Sequence, residues 1–236
     1  MPYEMEIPLI EKIQRTPEVL SVRFKLENDE GFKAGQFAQV FLDNGNVKRY
    51  LSISNSPTEK GYLEFTKKLT GSDFSGLLEK LKAGDKALVK FPFGNFIYKE
   101  EYKKIAFISG GIGITPIRSI TKYIVDSNID CDVVLVYSCR TADDIAFKAD
   151  FKEMSGKYNG LKVVHTLTDE TPPEPEPYVR TGRIDAQMLK NEIPDYSERK
   201  FYVCGPPAMV DAIKKILDDE LQVSKNNILE ENFKGY

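Results

Sequence analysis

Apolar and polar side chains alternate along the first hundred residues and bunch into short runs along the remainder; the two rhythms predict two kinds of sheet. Val19-Leu-Ser-Val-Arg-Phe-Lys-Leu and Gly35-Gln-Phe-Ala-Gln-Val-Phe-Leu carry the two-residue period of strands with one buried face. The second ends at Asp43-Asn-Gly-Asn, a cluster of turn formers. Tyr62-Leu-Glu-Phe-Thr and Lys86-Ala-Leu-Val-Lys-Phe read as two more strands. Between them Ser75-Gly-Leu-Leu-Glu-Lys-Leu predicts a lone helix, stopped at Ala83-Gly-Asp. Many short strands with one helix predict a small antiparallel barrel over residues 1–100.

After about Glu101 the rhythm changes. Lys104-Ile-Ala-Phe-Ile-Ser, Cys131-Asp-Val-Val-Leu-Val-Tyr, Leu161-Lys-Val-Val-His-Thr-Leu and Lys200-Phe-Tyr-Val-Cys are apolar runs of strand length. Helical patterns follow the first run to Asp126, the second over residues 142–154 and the fourth over residues 208–221. Strands alternating with helices predict a doubly wound, parallel α/β domain over residues 101–236. Thr171-Pro-Pro-Glu-Pro-Glu-Pro predicts a stiff extended loop within it.

Composition narrows the function. The 236 residues are 41% hydrophobic, enough for buried cores, with a net charge of -3. Residues 1–100 hold 15 Lys and Arg against 14 Asp and Glu, and the remainder 18 against 22, so neither half carries the footprint of a nucleic-acid binder. The N-terminus lacks a basic stretch followed by an apolar core, and no apolar run reaches the roughly 20 residues that cross a bilayer. Cys131, Cys139 and Cys204 show no metal-like spacing, and the single histidine, His165, falls within a predicted core strand. The expectation is a cytoplasmic protein without metal, iron–sulfur cluster or membrane span.

Three segments carry candidate chemistry. Ser109-Gly-Gly-Ile-Gly-Ile-Thr-Pro falls where a strand ends and a helix begins. Its glycines let a phosphate approach the backbone, the helix N-terminus offers unpaired N–H groups, and Pro116 suits a first helical turn. Its spacing is not GxGxxG, and a tight turn that binds nothing has the same composition. Val203-Cys-Gly-Pro-Pro-Ala-Met-Val lies between a later strand and helix, so it opens at the same sheet edge. Cys204 there is either a thiol facing a ligand or a small core hydrophobe. Lys48-Arg-Tyr-Leu-Ser-Ile-Ser-Asn sets Arg49 beside hydroxyls, a donor set suited to a pyrophosphate, and Gly71-Ser-Asp-Phe-Ser-Gly adds donors ahead of a helix. Taken singly, these last two are also an ordinary surface arginine and an N-cap serine.

In this order, with Pro92-Phe-Gly-Asn-Phe between them, the segments resemble the motifs of the ferredoxin–NADP⁺ reductase-like family of flavoproteins across nearly the whole chain. The resemblance implies a Greek-key antiparallel β-barrel that holds FAD, followed by a doubly wound α/β domain that takes the nicotinamide nucleotide. It places Arg49 on the flavin pyrophosphate, Tyr50 and Leu51 along the flavin strand, and Ser52 near flavin N5. The backbone of Phe65, Thr66 and Lys67 would meet the flavin head group or ribityl chain, and Phe74 and Ser75 the pyrophosphate. Gly110, Gly111, Gly113, Thr115 and Pro116 form the nucleotide loop. Cys204, with Gly205, Pro206 and Met209, would lie near the hydride-carrying carbon. Phe233 or Tyr236 would cover the flavin. Leu51 stands at the family's aromatic position, while Tyr50 falls on the opposite face.

The implied activity is that of an FAD-dependent NAD(P)H oxidoreductase. Hydride would pass between nicotinamide C4 and flavin N5, and single electrons to or from a separate partner such as ferredoxin, flavodoxin or a similar redox protein. Ser52, Cys204 and Phe233 are its candidate catalytic residues. The nucleotide choice turns on two loops. Asp169 or Glu170 would repel a 2′-phosphate and favours NADH, whereas Ser138 and Arg140 would welcome one and favour NADPH; the first weighs slightly more. An electron-transfer subunit that works only inside a larger complex, and a non-catalytic nucleotide-binding module, are the alternatives.

Overall fold

The computed structural model describes residues 2–27 and 31–233. The first sheet comprises β1 (Tyr3–Thr16), β2 (Val19–Lys25), β3 (Phe37–Leu42), β4 (Val47–Ser52), β5 (Tyr62–Lys68) and β6 (Lys86–Phe93), all antiparallel in the order β4-β3-β6-β1-β2-β5. Its two edges meet where Ile53 bridges Phe65 and the Ser54 N–H donates to Glu64 O at 2.8 Å, which closes a Greek-key barrel. Alternate side chains fill it: Val22, Phe24, Val40, Leu63, Phe65 and Val89 are fully buried. The helix α1 (Asp73–Lys80) starts at Ser72, whose side chain accepts from the Ser75 N–H.

The long strand β1 has no counterpart in the predicted elements. Five of its fourteen residues are charged, and exposed Ile10 and interrupting Pro8 break the alternation of Met5, Ile7 and Leu9, so no sustained apolar period marks it. Pro8, which has no N–H to donate, stands where β1 leaves β6 and takes up β2.

The second sheet is parallel, with β7 (Lys104–Gly110), β8 (Asp132–Cys139), β9 (Leu161–Leu167), β10 (Val179–Thr181), β11 (Lys200–Gly205) and β12 (Ile228–Asn232) in the order β10-β9-β8-β7-β11-β12. Helices α2 (Ile114–Asp126) and α3 (Lys148–Lys157) pack on one face against Phe107, Leu135 and Tyr202. Helices α4 (Ala186–Glu192) and α5 (Pro207–Lys215) pack on the other against Ile108, Val136 and Val203. The chain turns in opposite directions on either side of β7, so the carboxyl ends of β7, β8 and β11 form the crevice where ligands of such sheets sit.

The helix expected over residues 142–154 is split. Thr141 and Asp144 cap a short 3₁₀ turn, and Phe147 takes a left-handed φ of 59°, which ends any continuous helix before α3 begins. No helix among the described residues is long and apolar enough to cross a membrane.

Charged side chains pin the barrel to the α/β sheet. Arg118 of α2, 4% exposed, donates to Ser54 O, pairs with Glu59 on the barrel side and reaches Asp150 of α3 at 2.8 Å. Arg15 of β1 meets Glu64 at 3.1 Å and Asp150 at 3.5 Å. Removing one partner from such a buried network strands a charge, at a cost of about 3–5 kcal/mol.

Candidate functional site

On the barrel side, strand alternation sorts the motif of β4. Arg49 pairs across the ladder with Val40 and Leu51 with Ala38, so these two share a face, while Tyr50 stands opposite Gln39 on the other. Tyr50 is 65% exposed and sets its ring edge-on against Phe37 at 5.7 Å. Leu51 packs against the barrel core, and Ser52 is buried at the strand end. Phe65, Thr66 and Lys67 run along β5, where the Thr66 hydroxyl lies 2.7 Å from Ser21 Oγ and 2.8 Å from Ser54 Oγ. Phe74 is buried under α1, and the Ser75 hydroxyl accepts from the Thr70 N–H at 3.1 Å.

Two cations converge here without an acid. Arg49 donates only to Lys48 O, and Lys67 only to Lys68 O; among the described residues neither meets a carboxylate. Burial, and then the neighbouring Arg49 guanidinium, pull the Lys67 ammonium below the usual lysine range. Like charges held together with no counter-ion are the electrostatic mark of a place for an anion. A dinucleotide's pyrophosphate fits that donor set, with the hydroxyls and open N–H groups at the start of α1 close by.

The nucleotide side is a cleft of about 490 Å³ between barrel and sheet. Gly110, Gly111 and Ile112 line it from the end of β7, Pro206 and Met209 from the start of α5, and Ser138 and Arg140 from the end of β8. The Tyr137 hydroxyl donates to Gly111 O at 3.0 Å and fixes the loop. Gly113, Thr115 and Pro116 lie behind the lining: Thr115 and Pro116 are buried in α2, and the Thr115 hydroxyl donates to Ile112 O at 3.1 Å. Gly113 is required by close approach, since a Cβ there would sit 2.6 Å from the carbonyl carbon of Cys204. The loop therefore packs its helix directly on β11.

At the rim, Lys68 and Arg140 share a carboxylate across the cleft. Glu18 lies 2.9 Å from Lys68 Nζ and 3.5 Å from Arg140, which also meets Asp144 at 3.4 Å. Arg183 lines the same end. Asp169 is exposed and outside the lining; its N–H donates to Arg140 O at 2.9 Å.

Across the carboxyl edge of the sheet, Ser109, Cys204 and Glu231 stand in one ladder row on β7, β11 and β12. Cys204 is fully sealed, and burial first, then Glu231, push its thiol well above the ordinary range. Ser109 Oγ, Glu231 Oε2 and Asn232 Oδ1 are buried without partners. Burial alone raises the Glu231 carboxyl to about 7. Unmet polar atoms gathered at a crevice suit the carboxamide of a nicotinamide ring. The Phe233 N–H donates to Gly205 O at 3.2 Å, which ties the main chain of Phe233 to the end of β11; Tyr236 lies outside the described residues. Sequence reasoning assigned no role to Glu231, Lys68 or Glu18. A strand pairing of the C-terminal Glu-Glu-Asn with β11 would have been the signal for the first.

Comparison with known proteins agrees with this geometry. The oxidoreductase FAD-binding domain family matches residues 6–98, and the oxidoreductase NAD-binding domain family residues 107–215. The chain is 31% identical over 192 residues to a glycine betaine monooxygenase reductase subunit of Chromohalobacter salexigens, covering 79% of this chain and 52% of that protein. It is 29% identical over 210 residues to the propane 2-monooxygenase reductase component of Rhodococcus jostii, covering 86% and 56%. The chain thus spans about half the length of the curated relatives it matches. The cytochrome b5 reductase domain of Ulva prolifera nitrate reductase superposes with a TM-score of 0.86 over 97% of both chains, at 24% identity, and shares the fold. With a flavin-binding barrel and a nucleotide-binding sheet matched in sequence order around one cleft, the chain belongs to the ferredoxin–NADP⁺ reductase-like family of flavoproteins.

Proposed function

We propose that this chain takes electrons from NADH through FAD and hands them to a separate redox protein. Two observations carry the reading: an unneutralised cation pair on the barrel, Arg49 and Lys67, and a row of unmet polar atoms at the carboxyl edge of the parallel sheet. FAD, when bound, supplies hydride acceptance and release as single electrons. The residues of the chain bind and orient. Arg49, Lys67, Phe74 and Ser75 hold the pyrophosphate, Ser52 and Leu51 border the isoalloxazine, and the Gly110–Gly111 loop with Pro206 and Met209 seats the nicotinamide nucleotide. Cys204 and Phe233 exclude water at the reacting face, and Glu231 holds a proton beside it. The division between flavin and nucleotide domains falls near residue 100, and the protein works in the cytoplasm.

NADH is favoured because Arg140 already has Glu18 and Asp144 as counter-ions, so a 2′-phosphate would compete with two carboxylates for it. A second reading has its own support. The chain covers about half of reductase subunits that serve monooxygenases, which suits an electron-transfer module acting inside a larger assembly. An absorbance spectrum of the purified protein, followed by titration with NADH and NADPH, tests the proposal. Flavin absorption bleached more readily by NADH supports it. A colourless protein that gains no flavin on reconstitution ends it, and an NADPH preference abolished by Arg140→Ala reverses the nucleotide assignment.

A further inference from the structure

The Pro-rich loop and the single histidine, neither of which the reductase reading uses, meet in a second cavity of about 420 Å³ at the outer edge of the parallel sheet. One wall is a face of α3. Lys148, Phe151, Lys152 and Ser155 follow the three-four spacing that puts side chains on one side of a helix. The floor is one face of β9, where Val163, His165 and Leu167 alternate in register. The loop that ends at Tyr178 forms the far side, its Tyr178 O accepting from the His165 N–H at 2.8 Å and Tyr178 itself held at a left-handed φ of 64°.

The chemistry of these walls is specific. The side-chain ammonium groups of Lys148 and Lys152 have no ion pair or hydrogen bond among the described residues, although Glu170 and Glu176 line the same cavity. Glu170 is held by the Ala142 N–H at 2.7 Å, and Glu176 stands on the loop side. Burial, and then Lys148, lower the His165 imidazolium to about 4, so the ring is neutral at physiological pH. Its Nδ1 is buried with no partner, and the ring lines the cavity. The remainder is apolar: Phe151, Val163, Leu167 and the loop prolines.

We propose that this cavity is a binding site for a small aromatic carboxylate, its carboxylate between Lys148 and Lys152 and its ring over the β9 floor beside His165. Two unpaired ammonium groups call for an anion, and the apolar floor calls for a body that leaves water. A dianionic phosphate would meet Glu170 and Glu176 as well, so a single negative charge on an apolar frame suits the walls better. Flat rings stack on histidine, tyrosine and proline faces. The site lies on the α3 side of β9, shares no lining residue with the nucleotide cleft, and does not rest on the reductase reading.

The test is a titration of the 236-residue protein with benzoate, read by saturation-transfer NMR of the benzoate ring protons, without and with NAD⁺ to fill the nucleotide cleft. Saturable binding that weakens at least fivefold in the Lys148→Gln/Lys152→Gln double variant is expected, with benzyl alcohol, which has the ring without the charge, binding at least fivefold more weakly. Both lysines are exposed, so the variant should fold, and an unchanged rate of NADH oxidation would show that it has. Absence of saturable binding to the parent protein overturns the proposal. So does binding that survives the double substitution, or binding that NAD⁺ displaces, since either places benzoate elsewhere.

Discussion

The two cation-bearing regions of this molecule, on the barrel and at the cleft, treat their charges in opposite ways. On the barrel, Arg49 and Lys67 lie together with no acid, and the second is depressed in pKa by burial and by the first. At the cleft, Lys68 and Arg140 are already neutralised, by Glu18 and Asp144. Unneutralised like charges destabilise a protein until an anion arrives, so the barrel gains most from a resident cofactor that stays. Paired charges cost the empty cleft little and must be separated when a ligand enters, which suits a substrate that binds and leaves on every cycle. On the proposed function, this difference in pairing is what separates the site of a prosthetic group from that of a substrate.

The sharpest way to break this comparison is Arg49→Ala. It removes charge-assisted hydrogen bonds to the pyrophosphate, worth about 1.5–3 kcal/mol, roughly a 10- to 100-fold loss of FAD affinity. Nucleotide binding to the reconstituted protein should stay within twofold. Fluorescence titration of the apoprotein with FAD measures the first and a difference spectrum with NAD⁺ the second. An equal loss at both would show that the two regions are one electrostatic unit.

Next in size is Cys204→Ser. The thiol is sealed between Ser109 and Glu231 in the ladder row, so the substitution adds a hydroxyl that needs a partner where polar atoms are already unmet. Rapid-mixing experiments should show flavin reduction slowed about tenfold, in the range of one misplaced contact at a reacting face, with NADH affinity within twofold. A reduction rate equal to the parent's would reassign Cys204 to packing alone.

What the sequence made legible was whatever depends on local backbone geometry. The loop at residues 109–116, the strand-to-helix turn at Cys204 and the lone helix α1 all announce themselves through glycine, proline and capping residues. The fold class followed from the two periods. Features that depend on pairing between distant segments were hidden. β1 draws its burial from two partners in turn and shows no clean alternation. β12 brings Glu231 beside Cys204 only through a parallel pairing that short polar segments do not advertise. Lys67 was read as a backbone contact, because nothing in the chain says its ammonium faces Arg49. Asp169 follows β9 in an exposed loop and does not line the cleft, a position that depends on how the loop folds rather than on its place after a strand.

Glu231 offers a third, smaller test, on the nucleotide side alone. Its carboxyl titrates near 7 in the fold against an ordinary 4.5, because burial disfavours the charged form. A raised acid contributes stability that is complete below about pH 4.5 and is lost as pH rises through 7. The melting temperature should therefore fall by a few degrees between about pH 5 and pH 8, as a change on the order of 1 kcal/mol does in a chain of this size. Glu231→Gln should flatten that slope and leave the FAD affinity of the barrel unchanged. A slope that persists in the variant would assign the titration to another group.

The smallest expected effect concerns Glu18. It is half exposed, and its partners Lys68 and Arg140 are at least a third exposed, so each pair is worth at most about 1 kcal/mol. The carboxylate nonetheless lines the nucleotide cleft, and it holds two cations that would otherwise be open to the phosphates of a bound dinucleotide. Glu18→Gln keeps the shape, frees Lys68 and Arg140, and removes a repulsion. The KM for NADH should fall about two- to fivefold at low ionic strength, with kcat unchanged, because a uniform gain in binding does not alter the barrier between bound states. The gain should shrink as salt rises toward about 0.5 M, where the screening length drops to a few ångströms. Arg140→Gln should raise KM by a similar factor, and the double variant should lie near the parent if the two charges act on the same phosphate. A KM that rises in Glu18→Gln would mean that this carboxylate accepts a hydrogen bond from the substrate's ribose, and the cleft would then be prepared for its ligand in the same sense as the barrel.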